Sequence, residues 1–263
     1  MAERGFDGRL HGVPALTAPT SAVLRSAAQA GWRDFRAAPL YGIAAGLACV
    51  LAGWGLVALT MWAGHTFWLI LAVFGFPLVA PFAALGTYEV SRLRSNGVAP
   101  RLSDGLDRLW QEREGQVPWL CGMMIFALLF WFFLGHMIFA LFLGLKPMTN
   151  ITTSLQVFLT TDGLMMLTLG SCVGAMFALL LYSICVIGLP MLLDRDVDYV
   201  TASLRSIEIV ARHPALMLGW AVTIAVIVFV SMLPGFLGLI VTLPWLGHAS
   251  WHVYAQMRDA AVG

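Results

Sequence analysis

Charge is what this chain has least of. Only 11% of its 263 residues are Asp, Glu, Lys or Arg, against 60% apolar. A soluble domain carries about 25% charged residues, so too few are present here to clothe a soluble globule. Fifteen basic residues nearly cancel fourteen acidic ones, and the arginines are dispersed. Nothing in that balance favours a nucleic-acid partner.

Cysteine is equally scarce. Cys49, Cys121, Cys172 and Cys185 all fall inside apolar runs, with no CxxC and no His-rich tract beside them. A disulfide framework is not expected, and the four read as small packing residues. The opening "MAERGFDGRLHGVPALTAPTS" lacks an apolar core of signal-peptide length, so no cleavage is expected. Walker loops, dinucleotide fingerprints and Ser-His-Asp sets are missing too. The expectation is a protein that is not an enzyme and carries no cofactor.

What the chain does have is apolar length, with a mean hydropathy of +0.84. A transmembrane helix needs about 20 mostly apolar residues, and six stretches qualify: 40–63, 67–88, 118–144, 164–193, 215–233 and 235–257. The second is interrupted by "GFP" and Pro81. A break at Ser231–Pro234 divides the last two, and Pro234-Gly235 favours a tight reversal there.

Basic residues set the orientation. Under this division all fourteen arginines fall on one side, and Lys146 alone falls on the other. Both termini are therefore expected in the cytoplasm. On the far side only 146–163 is long enough to matter. Its Leu155, Val157, Phe158 and Leu159 suggest a short interfacial segment, and the Asn150-Ile-Thr152 sequon is read as chance.

A threefold repeat runs through this pattern. Polar, helix-compatible stretches precede Pro39, Pro118 and Pro214, each opening an odd-numbered span. In each even-numbered span a proline (Pro81, Pro190, Pro244) stands before the cytoplasmic end. The implied division is a cytoplasmic tail (1–21) and three units (22–97, 98–198 and 199–263). Each unit is an interfacial helix followed by two spans. In the first such helix Leu24, Ala27, Ala28 and Phe35 approximate an apolar face, while Arg25, Arg33 and Arg36 can reach lipid phosphates. The fold class expected is all-α, a six-transmembrane-helix bundle.

The runs "GWRDFRAAPLYG", "GLPMLLDRDVDYVTASLRSIEIVARHPALMLGWAV" and "MLPGFLGLIVTLPWLGHASWHVY" resemble an uncharacterised bacterial integral-membrane family, over residues 22–258. Its members form a domain of unknown function, some of them labelled putative cytochrome c oxidase subunit I. The resemblance implies a multi-pass protein of the bacterial inner membrane and carries no activity. The oxidase label does not survive the residues. A haem–copper catalytic subunit needs about twice as many spans and six intramembrane histidines, and only His136 and His248 lie clearly within spans here. A respiratory complex as partner rests on that label alone.

Counting eight residues from the three even-span prolines reaches Glu89, Asp198 and His252; counting four reaches Leu85, Asp194 and His248. His248 and His252 share a helix face at good ligand spacing, and a carboxylate from Asp194, Asp198 or Glu89 would complete a site for Zn, Fe or Mn. The plainer reading is a helix end in an aromatic belt, hydrogen-bonded to headgroups, carbonyls or the Asp194–Asp198 segment. A haem between His136 and His248 is disfavoured by their opposite depths. "GIAAG" (Gly42, Gly46) and "GSCVG" (Gly170, Gly174) are small-xxx-small patterns for close helix packing, within the bundle or between copies. The leading expectation is an accessory, assembly or scaffold protein acting on the bilayer and a membrane partner. A small-solute or ion transporter is the rival, and a metal- or haem-binding respiratory accessory protein comes third.

Overall fold

The computed structural model describes residues 9–63, 70–144 and 158–261. Arg4, His65, Lys146, the Asn150 sequon, Leu155 and Val157 lie outside the described residues, as do the first residues of the second expected span. Nine helices occur among the described residues: α1 (Ser21–Ala37), α2 (Pro39–Ala63), α3 (Ile70–Ser95), α4 (Leu102–Glu112), α5 (Val117–Leu143), α6 (Thr161–Asp194), α7 (Tyr199–Arg212), α8 (Pro214–Met232) and α9 (Leu239–Asp259). A two-residue strand β1 (Leu10–His11) pairs in parallel with β2 (Arg195–Asp196). α2, α5, α6 and α8 are each long and apolar enough to cross a membrane, with mean hydropathies from 2.1 to 2.4.

Prolines punctuate the helices in two ways. Pro39, Pro118 and Pro214 sit in the first turns of α2, α5 and α8, directly after the shorter α1, α4 and α7. A proline costs nothing there, because first-turn amides have no intrahelical partner. The interruption expected at "GFP" and Pro81 does not occur: α3 runs unbroken from Ile70 to Ser95. Pro190 and Pro244 likewise lie inside α6 and α9. Each removes one backbone hydrogen bond, a loss that helices packed against neighbours tolerate. Between α8 and α9 the chain does reverse, through Gly235 (φ 63°) and Phe236 (φ 68°), both left-handed.

α9 is the helix around which the others assemble, packing against α1, α2, α3, α6 and α8. Glycine makes two of these approaches possible. A Cβ on Gly31 of α1 would lie 2.5 Å from the Ala249 nitrogen, and one on Gly46 of α2 would lie 2.8 Å from Ile240 Cα. Gly42 meets the Pro244 ring in the same way. The first small-xxx-small pattern therefore serves packing within the chain.

Packing is uneven along the helices. In α6 the residues from Val186 to Leu193 are all buried, whereas Leu164, Met165, Leu167, Leu169 and Met176 are exposed. α9 likewise concentrates its buried residues between Pro244 and Met257. Among the described residues burial is concentrated at the end where the arginines gather.

Candidate functional site

Polar side chains are buried in a layer at the tight, arginine-rich end. Four carboxylates organise it. Asp34 of α1 accepts from Arg94 of α3 (2.8 Å) and pairs with His252 Nε2 of α9 (2.7 Å). Asp194, the last residue of α6, accepts from Tyr254 and Arg258 of α9, both at 2.7 Å, and from Arg195 at 3.1 Å. Glu112 of α4 pairs with Arg9 at 3.0 Å and Arg108 at 2.7 Å. Glu89 of α3 holds Arg92 one turn on, through two hydrogen bonds of 2.6 and 2.8 Å.

The same arginines solve a second problem. The last four carbonyls of a helix have no intrahelical donor and carry its partial negative charge. Arg9 donates to the Leu192 carbonyl and Arg108 to that of Leu193, at 2.9 Å, so both cap the end of α6. Residues 9–20 thereby lie against the bundle rather than forming a free tail: Thr17 bonds Met257 through backbone and side chain, and Leu16 packs on the core.

Electrostatics follow from this pairing. Burial alone would raise the Asp34 carboxyl, but hydrogen bonds from His252, Arg94 and Ser91 outweigh it and hold the group at about 2. The carboxylate is therefore ionised at any neutral pH, which keeps Arg94 and His252 attached to it.

The five residues of the expected metal set are not brought together. His252 is committed to Asp34, Asp194 to Tyr254, Arg258 and Arg195, and Glu89 to Arg92. Asp198 caps α7, its carboxylate accepting from the Thr201 amide at 2.9 Å; hydrogen bonding from the Thr201 side chain, then its backbone, lowers the carboxyl pKa. His248 is buried, with Nδ1 2.8 Å from Ser91 Oγ. Among the described residues no three His, Cys, Asp or Glu side chains are grouped to hold a metal ion. His136, the other histidine weighed for haem, faces outward and bonds the Phe132 carbonyl of its own helix.

Sequence reasoning missed Asp34, Ser91 and Glu112. Asp34 had a signal: seven residues after Ala27, it falls on the same helical face as the buried Leu24 and Ala27.

The second small-xxx-small pattern behaves differently from the first. Among the described residues a Cβ added to Gly170 would meet nothing within 4 Å, and one added to Gly174 would meet only the Trp131 indole nitrogen, at 3.4 Å. Both line an open groove of about 490 Å³ between α5 and α6, with Trp131, Gly135, Phe139 and Phe158.

Residues 69–194 match the model of a family described as "Predicted integral membrane protein (DUF2189)". The match runs from the residue before α3 to the last residue of α6, just under half of the chain. It agrees with the resemblance to an uncharacterised membrane family, and nothing in it supports the oxidase label. No curated protein and no solved structure matches the chain. The chain is an integral membrane protein with several helices able to span a bilayer.

Proposed function

We propose that this membrane protein is a non-enzymatic accessory or assembly protein, whose α5–α6 groove receives a transmembrane helix of a second membrane protein. The observation that carries this reading is the contrast between two glycine pairs of identical spacing. Gly42 and Gly46 seat helix α9 against their bare backbone. Among the described residues Gly170 and Gly174 present the same surface on α6 with no helix backbone seated against it. Without lipid-specific hydrophobic gain between apolar helices, close backbone approach is what favours association in a bilayer.

Within this reading α3 and α9 are the two further spans of a six-span, three-unit bundle in a bacterial inner membrane. The polar layer lies at the cytoplasmic headgroups, and both termini are cytoplasmic. The excess of arginine at that end supports the orientation, and the placement of α1, α4 and α7 directly before a proline supports the repeat. The layer then acts as a clamp: its ion pairs hold α1, α3, α4, α6 and α9 together at one end and leave the groove free at the other. A transport role has less support. A charge-lined cleft of about 290 Å³ beside Glu89, Asp104, Asp107 and Arg108 lies at the clamped end, away from the mid-depth where ion pathways place ionisable groups.

Mild purification of the full chain from its native membranes, side by side with Gly170→Leu/Gly174→Leu, tests the proposal. A protein recovered in fixed proportion with the wild type and lost with the variant is the expected result. An identical set of co-purifying proteins in both would overturn it.

A further inference from the structure

We infer that the cleft between α1 and α9 is a binding site for an anionic phospholipid drawn from the surrounding bilayer. The cleft has a volume of about 600 Å³ and is lined by Ala28, Gln29, Trp32, Arg33 and Trp245. That volume falls in the range of about 300–1,000 Å³ usual for small-molecule sites.

Charge identifies the occupant. α1 carries Arg25, Arg33 and Arg36 on its exposed side, and its one acidic residue, Asp34, points inward to Arg94 and His252. Arg9, Arg92, Arg94, Arg108, Arg195 and Arg258 are all ion-paired to carboxylates. Among the described residues Arg33 and Arg36 have no carboxylate partner, and Arg25 reaches only the Ser21 carbonyl. Arg33 lies at the cleft itself, with Arg36 less than a turn further along. Two guanidiniums so placed suit a phosphate, which accepts hydrogen bonds from planar donors on more than one oxygen.

The apolar part of the cleft fits the rest of a lipid. Trp32, 40% exposed, stands edge-on to Trp245 with ring centroids 5.8 Å apart. Trp245 is fixed by its indole N–H, which donates to the Ala28 carbonyl at 2.9 Å. Immediately after α1 the chain enters α2, whose Leu40, Ile43, Leu47 and Leu51 are exposed. These side chains, spaced along one face of α2, give an acyl chain an apolar surface that starts three residues after α1. Tryptophan at headgroup level beside arginine is the arrangement expected of such a boundary.

Native mass spectrometry of the full chain, exchanged against phosphatidylglycerol, phosphatidylcholine of matched chains, or inorganic phosphate, is the test. The wild type is expected to retain phosphatidylglycerol over phosphatidylcholine. Arg33→Gln/Arg36→Gln should lower that retention roughly thirty-fold, from about 1 kcal/mol per arginine near a lipid surface. Trp32→Ala should weaken both lipids, and Arg113→Gln, an exposed arginine elsewhere, should change neither. Equal retention of the two lipids, undiminished retention by the double variant, or full displacement by inorganic phosphate would each overturn the assignment. So would finding that the loss tracks dissociation of a dimer.

Discussion

Asp34 and His252 stand 218 positions apart in the chain and 2.7 Å apart in space. Arg94 completes the pair from a third helix. One carboxylate on a helix that is otherwise basic thus joins α1, α3 and α9. Removing it leaves the half-buried Arg94 and the more deeply buried His252 without their carboxylate. Asp34→Asn should destabilise the protein by about 2–4 kcal/mol, whereas Glu114→Gln, at an exposed pair, should stay within about 0.5 kcal/mol. Chemical unfolding in detergent measures both.

Acid should undo the same contact. The Asp34 carboxyl is held at about 2 in the fold against an ordinary 3.8. A depressed folded pKa stabilises the native state above the ordinary value, and the contribution fades as pH falls from about 4 to about 2. The stability difference between wild type and Asp34→Asn should therefore narrow as pH falls through that window. A difference that persists unchanged at about pH 2 would show that the carboxylate's charge is not what matters.

The helices were legible in the sequence because apolar length and proline are local signals. Prolines at 39, 118 and 214 mark first turns, and Pro234-Gly235 marks a reversal. Two local contacts had readable spacings but were taken instead for metal ligands: Glu89–Arg92 is an i,i+3 pair, and Asp198 stands three before the amide it caps. Partners across the bundle were not. Arg9 meets Glu112, and Asp194 meets Arg258, because of how the helices are arranged around α9. A repeat read by counting from prolines places residues at matching heights and says nothing of which neighbour each one faces. For that reason the histidines and carboxylates expected to converge are each engaged elsewhere.

The two glycine pairs should respond to substitution in opposite ways. An alanine methyl at Gly46 would lie 2.8 Å from the Ile240 backbone and must push α2 from α9. Gly46→Ala should cost about 1–3 kcal/mol. At Gly170 the same methyl meets open space among the described residues, so Gly170→Ala should not lower the unfolding midpoint of the isolated protein. Thermal unfolding of the two variants decides the matter.

The segment before α1 should loosen when its anchor is removed. Glu112 holds Arg9 and Arg108, which in turn cap α6. Glu112→Gln should raise amide exchange across residues 10–17 by about tenfold or more, Gly12 and Thr17 included, since their amides bond Asp196 and Met257. Exchange in the first turns of α5 serves as the internal reference and should not move.

Whether α6 offers its glycine face to another protein's helix can be read by crosslinking in native membranes. One photoreactive side chain is placed at Ser171, on the groove, and another at Val226, exposed on α8. Ser171 should give one discrete protein adduct, absent from Val226 and lost when Gly170 and Gly174 become leucine. The same adducts from both positions, adducts with lipid alone, or an adduct of two copies of this chain would show that the groove does not receive a partner's helix.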